Sequence, residues 1–365
     1  MKNGKIGVGI IGVQPDRSWA AIAHIPALEA LPQYEIVALS TTKRASAEES
    51  AQRYGVPFAF DNYAALIAHP DVDVVAVTVK VPHHLELVSA ALNAGKHVYC
   101  EWPLGNGLDE AVRMAELARQ KQVRAAVGLQ ARSAPVFNYV RDLVAEGYVG
   151  EVLSVTLIGS GGSWGPIMET PNLYTADKKN GATVLTIPLG HTVDAMCYAL
   201  GEFRDVMALT ARRRTRTQVA ETGATVEMTA EDQVIVGGTL KSGAVVDIHY
   251  RGGLPRGTGL LLEINGSAGD LQINGMFGHA QLVDLSLRGA TGQEPALQPL
   301  EVPSKYRWAP DLPAVAFNVA QAYARFASDL RDGTRTCPSF EDAVQRHRLL
   351  QAIETSAATG KRVNL

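Results

Sequence analysis

The sequence is poor in cysteine and has no long apolar run, and both absences narrow the class of protein. Its three cysteines lie far apart and lack metal-ligand spacing. This pattern argues against a disulfide framework and against a zinc site, and it suits a reducing cytoplasm. No stretch approaches the ~20 apolar residues that a membrane span needs, and the N-terminal apolar segment is too short and glycine-broken for a signal peptide. We therefore expect a cytoplasmic protein with no metal and no membrane partner.

A strong excess of one charge is also missing. The formal net charge is -3, and 19% of the residues are charged while 46% are hydrophobic. Such a composition is typical of a compact folded protein, and nothing global attracts nucleic acid. The basic cluster at residues 212–216 fits a solvated strand edge or, alternatively, a binding patch. Because 365 residues exceed one ordinary core, we expect two domains.

The first third of the chain alternates short apolar segments with helical ones. The apolar segments have the unbroken pattern of strands that are buried on both faces of a parallel sheet; they are IGVGIIGV, EIVALST, VDVVAVTV, KHVYCE and RAAVGL. Gly55 and Gly95 stand where helix C-caps belong. This alternation predicts βαβ units and a doubly wound Rossmann domain over residues 1–128.

After residue 128 the pattern changes to longer strands with polar alternation. Residues 241–243 and 267–270 are typical of hairpin turns, and two helices close the chain. Residues 129–365 are therefore predicted to form a second α/β domain with a large, mainly antiparallel open sheet. Because an open apolar face of this kind is usually buried against a second copy, we expect a homo-dimer or homo-tetramer.

The first strand–helix turn is a candidate phosphate site. It reads GIIGVQPDRSWAAIAH and keeps Gly9 and Gly12, but a longer loop replaces the remaining glycines of a dinucleotide fingerprint. Ser18 is a candidate helix cap, which would leave free N–H groups facing a pyrophosphate. Any glycine-punctuated turn in an α/β protein would look similar.

The end of the second strand gives a firmer indication. NAD-preferring folds carry an acidic residue there, whereas this chain has Ser40, Thr41, Thr42, Lys43 and Arg44. Hydroxyls followed by two cations would suit a 2′-phosphate, which an Asp would repel. The alternative is a polar strand end with a solvated basic pair. NADP is the predicted cofactor, with NAD possible.

Several segments resemble one family of oxidoreductases. KHVYCEWPL resembles the GKHVxxEKP signature of the Gfo/Idh/MocA oxidoreductases, and VGLQARSAPVF, GYVGEV, GHTVDAMCYALG and the C-terminal RDGTRTCPSFEDAVQRHRLLQAIETSAATGKRV follow in the family's order. The resemblance implies a Rossmann domain, a C-terminal α/β domain and NAD(P)-dependent redox chemistry on sugars or related alcohols. Within the family, the closest resemblance is to the branch that contains a yeast galactose-pathway transcriptional inhibitor, which binds a dinucleotide but is a regulator. The segments that carry this resemblance are SWAAIAHIPAL, EW, GSGGSWG and LGHTVD.

Two positions depart from the family pattern. The family's catalytic Lys falls on Trp102, and the Asp that precedes its active-site His falls on Ile187. His191 remains, and helical spacing places His191 and Asp194 on one face of the helix that starts near Gly190. The family implies that His191 meets the substrate and that Asp194 binds or orients nearby. A structural His and a helix-dipole Asp are the alternatives.

Other side chains are candidates with equally plain alternatives. Lys80, at a strand end, is either an additional cation that could replace the family's catalytic lysine or an ordinary surface lysine. Tyr174 is a possible proton donor on a loop that would cover the site. Trp102 would stack on a sugar or flank the nicotinamide, or else simply fill the turn. Trp164 in GSGGSWGP is a sugar platform or part of a flexible glycine turn.

Motifs and resemblance together predict three sets of site residues. The catalytic set is His191, Asp194, Lys80 and Tyr174. The cofactor-binding set is Gly12, Val13, Ser18, Trp19, Thr41, Thr42, Lys43, Arg44, Val81, His84, Glu101, Trp102 and Gln130. The substrate-binding set is Trp102, Arg132, Trp164 and His191.

Two functions follow from these features. One is an NADP-preferring oxidoreductase that acts by hydride transfer on a small, sugar-like or polyol-like substrate, with His191 as the main proton-transfer group. The other is a dinucleotide-binding sensor or regulator that has lost catalysis, which the missing Lys and Asp favour. The enzyme is the preferred reading, by analogy with the family.

Overall fold

The computed structural model describes residues 4–365, and the chain divides into two compact units. The first unit takes the chain up to Gln130 together with Arg307–Gln345, and the second comprises Ala131–Tyr306 and Arg346–Leu365. The division near Gln130 lies close to the boundary expected after residue 128. The structure differs in Arg307–Gln345, which the sequence analysis assigned to the second domain. A local pattern does not show that a chain returns to its first unit.

The described helices alternate with strands in the first unit and flank the sheets of the second. They are α1 (Ile25–Glu29), α2 (Arg44–Tyr54), α3 (Tyr63–Ala68), α4 (His84–Asn93), α5 (Leu108–Lys121), α6 (Pro135–Ala145), α7 (Gly190–Leu200), α8 (Ala314–Asp332) and α9 (Phe340–Thr359). Two π-helical segments, Ala20–His24 and Leu185–Leu189, run directly into α1 and α7.

The first unit is built on a parallel sheet. Its strands are β1 (Ile6–Ile11), β2 (Tyr34–Ser40), β3 (Phe58–Phe60), β4 (Val74–Val77), β5 (His97–Glu101) and β6 (Ala125–Gly128). Their spatial order is β3-β2-β1-β4-β5-β6, and the pairs are parallel. This is the order of a doubly wound dinucleotide fold, so the predicted Rossmann domain is confirmed. The short elements β3 and α3 were not predicted.

Turn glycines lie where the sequence places them. Gly55 has φ +62° and ends α2, and Gly95 has φ +73° just after α4. Both are in the left-handed region, where glycine pays no Cβ penalty. The C-terminal ends of both helices are therefore set by local sequence.

The second unit contains a large mixed sheet. Its strands are β7 (Val152–Ser160), β9 (Phe203–Ala211), β12 (Gln233–Leu240), β13 (Val245–Arg251), β14 (Leu260–Gly266), β15 (Gly269–Gly275), β16 (Leu285–Thr291), β17 (Gln298–Pro299) and β18 (Val363–Asn364). The order is β17-β16-β15-β14-β7-β13-β12-β9-β18, and of these pairs only β7–β13 is parallel among residues 4–365. The predicted mainly antiparallel sheet is confirmed, and both predicted hairpin turns join its strands.

A smaller sheet and an open face complete this unit. β8 (Ile167–Met168), β10 (Arg216–Val219) and β11 (Thr225–Glu227) form the smaller sheet. On the large sheet, alternating positions of neighbouring strands leave apolar side chains exposed, namely Leu153, Met207, Leu209, Ile235 and Val245. Such a patch is the kind that a partner surface covers.

Neither a membrane helix nor a metal cluster is found in the part of the chain that the structure describes. No helix within residues 4–365 is long and apolar enough to cross a membrane. Over the same range, His, Cys, Asp and Glu side chains do not gather in groups of three that are able to hold a metal ion.

Helix α8 is fixed to the first unit by stacked aromatic rings. Tyr323 of α8 stacks on Tyr99 of β5 with ring centroids 4.4 Å apart, and it meets Tyr34 edge-on. The Tyr34 hydroxyl donates to the Tyr323 carbonyl oxygen at 2.8 Å. Aromatic pairs in such geometries stabilise beyond the apolar area they bury. Helix α8, which begins at Ala314, long after β6 ends at Gly128, therefore becomes part of the Rossmann unit's core.

Candidate functional site

The turn after β1 has the tight geometry of a nucleotide cradle. Gly12 has φ +104°, and a Cβ at this position would lie 2.7 Å from Cγ1 of Val79. Ser18 Oγ accepts from the N–H groups of Gln14 at 2.9 Å and of Ala21 at 3.3 Å. Ser18 therefore caps the start of the helix, as expected. Val13 is buried and Trp19 is half-buried beside this turn.

The end of β2 separates the two predicted cations. Arg44 donates to Glu48 Oε1 at 2.7 Å and to the Ala59 carbonyl oxygen at 3.1 Å, so its guanidinium is already engaged. Lys43 and Thr42 are exposed, and the Thr41 hydroxyl donates to the Lys43 carbonyl oxygen at 2.8 Å. Lys43 is therefore the better candidate for a ligand phosphate.

A buried polar cluster lies at the end of β5. Glu101 Oε1 is 2.9 Å from Nε2 of His24 and accepts from Nε2 of Gln130 at 2.7 Å. The other ring nitrogen of His24, Nδ1, is 2.8 Å from the Tyr323 hydroxyl. A Cβ on Gly128 would lie 2.7 Å from both Glu101 Oε1 and Gln130 Nε2, so this packing requires glycine in β6. We name Tyr323, His24, Glu101 and Gln130 the Glu101 cluster.

The remaining first-unit candidates surround the ends of β4 and β5. His84 is buried between carbonyl oxygens, with Nδ1 2.9 Å from that of Pro103 and Nε2 3.0 Å from that of Val79. Burial lowers the pKa of His84 despite these carbonyls. Val81 and Trp102 are also buried, whereas Lys80 is exposed at the carboxyl end of β4. Burial is consistent with a packing role for Trp102, and its predicted ligand role is untested.

In the second unit, His191 lies near a second histidine that the sequence analysis missed. His191 is in the first turn of α7, and burial together with the positive charge of His279 lowers its pKa to about 3. Burial lowers the pKa of His279 to about 4. His279 Nε2 accepts from the Gly162 N–H at 3.1 Å. Both Nδ1 atoms are buried and lack a hydrogen-bond partner within residues 4–365. Near neutral pH, His191 is therefore a neutral imidazole.

Asp194 is fully buried and paired with two arginines. Its Oδ2 accepts from Arg132 Nε at 2.9 Å, and its Oδ1 accepts from Arg132 Nη2 at 2.6 Å and from Arg346 Nε at 3.2 Å. Arg346 also pairs with Glu202 at 2.9 Å. Both Asp194 oxygens are thus taken, which suits orientation of Arg132 rather than direct work on a ligand. The predicted roles of Asp194 and Arg132 stay predictions.

The two loop candidates differ in accessibility. Trp164 is 2% exposed, its Nε1–H donates to the Thr175 carbonyl oxygen at 3.0 Å, and its ring stacks on His279. Trp164 is therefore a buried side chain in this structure and not an exposed ring on which a sugar could stack. Tyr174 is half-buried, and burial raises its pKa, so its hydroxyl stays protonated at neutral pH.

Sequence reasoning missed four residues that organise these clusters: His24, Tyr323, His279 and Arg346. His24 stands in AIAHIPAL, and Arg346 lies in the helical segment near the C-terminus. A polar residue on an apolar helix is a weak signal of a buried partner. Nothing in the sequence indicates which partner it has.

Comparison with known proteins identifies the family. A family model described as an oxidoreductase family with an NAD-binding Rossmann fold matches residues 6–129, and a model of the Gal80p C-terminal domain matches residues 135–275. Together these matches fit the Gfo/Idh/MocA family near the Gal80 branch. The resemblance drawn from the sequence motifs is therefore confirmed.

Individual relatives include both enzymes and regulators. Dehydrogenase aclE of Aspergillus oryzae is 37% identical over 57% of this chain, and the match spans 58% of that protein, less than two thirds of its length. The galactose/lactose metabolism regulatory protein GAL80 of Saccharomyces cerevisiae is 26% identical over 99% of this chain and 94% of its own.

Solved structures show the same fold. A super-repressor mutant of Gal80p from Saccharomyces cerevisiae superposes with a TM-score of 0.90 and 24% identity, covering 99% of this chain and 97% of the other. Levoglucosan dehydrogenase in complex with NADH and L-sorbose gives a TM-score of 0.83 at 22% identity, over 99% and 98% of the two chains.

Proposed function

We propose that this protein is an NADP-preferring oxidoreductase that interconverts an alcohol and a carbonyl group on a small, sugar-like or polyol-like substrate. The observation that carries the proposal is the parallel sheet with its tight Gly12 turn and Ser18-capped helix. Free N–H groups at a helix start bind phosphate. Levoglucosan dehydrogenase, which shares the fold, was solved with NADH and a sugar.

The end of β2 supports the preference for NADP. It carries no acidic side chain to bind a ribose 2′-hydroxyl, and the exposed Lys43 stands beside two threonines. A cation at this place would form charge-assisted hydrogen bonds with a 2′-phosphate. Arg44 contributes less because Glu48 already neutralises it.

The residues of the chain would divide the work around a bound dinucleotide, which supplies the hydride chemistry. Gly12, Ser18 and Lys43 would hold its phosphates. In the second unit, the neutral imidazole of His191 would hydrogen-bond a substrate oxygen, while Asp194 orients Arg132. Because His191 is a neutral imidazole near neutral pH, it has a free lone pair to accept a proton from an alcohol but does not carry the imidazolium proton that carbonyl reduction would use.

Calorimetric titration with NADPH and NADH tests the cofactor assignment. We expect Lys43→Ala to weaken NADPH binding about tenfold, the loss of one charge-assisted hydrogen bond, and to leave NADH binding unchanged. Lys121→Ala removes an exposed lysine at the end of α5 and is the control. Equal losses for both nucleotides would contradict a 2′-phosphate pocket. If neither NADPH nor NADH binds to the wild-type protein, the enzyme proposal is refuted.

A substrate screen tests the reaction. The protein with NADP+ is offered sugars and polyols, and with NADPH the corresponding keto-sugars, while absorbance of the reduced nicotinamide is followed. We expect turnover with a member of this set and a large loss of it in His191→Asn.

A regulatory protein is the second candidate, and Trp102 favours it. The family's catalytic lysine is absent there, and the second unit matches the Gal80p C-terminal domain. This candidate predicts nucleotide binding without turnover and a protein partner whose binding depends on the nucleotide. The expected homo-oligomer and cytoplasmic location remain predictions under either function.

A further inference from the structure

The hydrogens of the Glu101 cluster can be assigned from the acceptors that are present. The Tyr323 hydroxyl hydrogen has one acceptor within residues 4–365, His24 Nδ1. If His24 held a proton on Nδ1, this buried hydroxyl would be left without an acceptor, which costs free energy. His24 therefore accepts at Nδ1 and donates from Nε2 to Glu101 Oε1.

The two oxygens of Glu101 consequently have different roles. Oε1 accepts from both His24 and Gln130. Oε2 has no partner in the described part of the chain, and the Glu101 side chain keeps 11% of its surface exposed. The only oxygen of Glu101 that is open to a ligand or to a proton is therefore Oε2.

The place of Glu101 in the sheet indicates which part of a dinucleotide it would meet. The two halves of a doubly wound sheet each take one mononucleotide. β1 and β2 carry the phosphate turn and the ribose-reading residues, so the other half, β4-β5-β6, takes the nicotinamide. Glu101 is the last residue of β5, the middle strand of that half.

The titratable groups around Glu101 are held neutral. Burial lowers the pKa of His84 on α4, and the charge of Glu101 opposes this shift only in part. Burial raises the pKa values of Tyr99 and Cys100 on β5 and of Tyr323 on α8, and the charge of Glu101 raises them further. The remaining neighbours in the cluster are the imidazole of His24 and the amide of Gln130. Glu101 is thus the only carboxyl group among these neighbours.

We propose that Glu101, through Oε2, is the proton-exchanging group of this site and replaces the lysine that Trp102 displaced, while His24 and Gln130 are positioning residues that hold Oε1. This inference rests on the proposed function. The chain of hydrogen bonds ends at the fully buried Tyr323, so it is a clamp on the carboxylate and not a proton path to water.

The proton step balances with the chemistry that a bound dinucleotide supplies. Glu101 Oε2 would take the hydroxyl proton of an alcohol substrate whose hydride passes to a bound oxidised dinucleotide, and the carbonyl product would form. The carboxylic acid then returns the proton to water. In the opposite direction, Glu101 gives the proton to the oxygen that becomes the hydroxyl.

The position of Glu101 beside the nicotinamide can be tested by measuring nucleotide affinities, which requires no turnover. Affinities for NADP+ and NADPH are measured by calorimetry at pH 7, with NAD+ and NADH as a second pair. An opposite charge within reach shifts an ionisation by one unit or more, so we expect the isosteric Glu101→Gln to weaken the oxidised form relative to the reduced form by about tenfold. The control is Glu29→Gln, an exposed glutamate of α1, which should leave the ratio unchanged. An unchanged ratio in Glu101→Gln overturns the placement of Glu101.

Proton uptake tests the exchange itself. Titrations at about pH 5 in two buffers of different ionisation enthalpy count the protons bound with each nucleotide. NADPH, which lacks the positive ring, should bring more protons than NADP+, and Glu101→Gln should abolish the difference. A difference that survives in this variant overturns the proposal.

His24 variants separate positioning from simple structural support. Loss of a hydrogen bond to the ionised form favours its protonation, so His24→Leu should move the proton-uptake difference to higher pH. His24→Gln keeps a donor and should restore the wild-type profile. The same profile in all three proteins would remove the positioning role.

Activity separates failure of this inference from failure of the proposed function. If a substrate is found, Glu101→Gln should lower kcat about 100-fold or more, whereas the control Glu29→Gln, at an exposed residue outside the predicted site, should not. Full activity of Glu101→Gln overturns the inference and leaves the enzyme proposal standing. Absence of turnover in the wild type with the proton difference intact refutes the enzyme and keeps the assignment of Glu101.

Discussion

Asp194→Asn should destabilise the second unit strongly, because this aspartate neutralises two buried guanidiniums. Asp194 is fully buried, Arg346 is fully buried and Arg132 is 9% exposed. The substitution keeps the side-chain volume but removes the charge. Asparagine would also turn an N–H group toward one of the arginines, replacing an acceptor with a donor. The cluster would then hold two positive charges against the single carboxylate of Glu202.

The expected cost follows from the burial of the pair. Removing one partner of a buried ion pair typically costs about 3–5 kcal/mol, because the remaining charge stays out of water. Arg346 keeps Glu202 at 2.9 Å, whereas Arg132, which binds both oxygens of Asp194, keeps an acceptor at only one of the two positions and loses its counter-charge. We therefore expect a loss of about 3 kcal/mol in the free energy of unfolding, the low end of the range.

The assay is urea unfolding followed by the fluorescence of one tryptophan. Trp164 is the only one of the four tryptophans that lies in the second unit, so a background with Trp19, Trp102 and Trp308 replaced by Phe reports on this unit. Asp247→Asn is the control, since Asp247 is exposed on β13 and should cost no more than about 0.5 kcal/mol. A loss below about 1 kcal/mol in Asp194→Asn, with an unchanged urea slope, would refute the view that this ion cluster holds α7 in place.

Two further predictions concern pH and the nucleotide turn. The pKa of His279 falls to about 4 on folding, so between that value and the unfolded ~6.5 the unfolded state binds more protons, and stability drops as pH falls; by pH 5 this histidine should cost about 2 kcal/mol relative to pH 7. His279→Gln should flatten that part of the pH dependence in urea unfolding, and an unaltered slope would speak against a buried neutral imidazole. Gly12→Ala should weaken nucleotide binding in calorimetry, because its Cβ would meet Val79, whereas Gly95→Ala, with φ +73° but no neighbour within 4 Å, should carry only the ~1 kcal/mol strain of its backbone. Equal effects of the two alanines on nucleotide binding would contradict the cradle geometry.

The parallel sheet was predictable because its strands are unbroken apolar runs, and local spacing suffices to recognise them. β3 was missed because it has three residues and none is fully buried. Helix α8 was recognised as a helix but placed in the wrong unit. Its amphipathic pattern shows that one face is buried, and it contains no information about which sheet lies against that face.

The polar clusters were not predictable, because their members are far apart along the chain. His24 and Tyr323 are separated by 299 residues, and Arg346 reaches Asp194 across 152. Helical spacing placed His191 and Asp194 on one face of α7, but both faces of this helix are buried. The sequence therefore indicated which residues were polar, whereas the partners that decide their charge and role came from tertiary packing.

Two of the buried carboxylates of this protein, Asp194 and Glu101, differ in a way that bears on the choice between enzyme and regulator. A buried carboxylate costs desolvation free energy that apolar packing would avoid. Asp194 offsets this cost by pairing both of its oxygens with guanidiniums, so it is a closed structural cluster. Glu101 has no lysine or arginine within its cluster and keeps Oε2 open at the strand end where a nicotinamide would lie. Stability alone does not account for that arrangement. A proton-exchanging role does account for it, since such a role needs one oxygen held and the other free. The absence of the family's lysine is therefore weaker evidence against catalysis than Trp102 alone suggests.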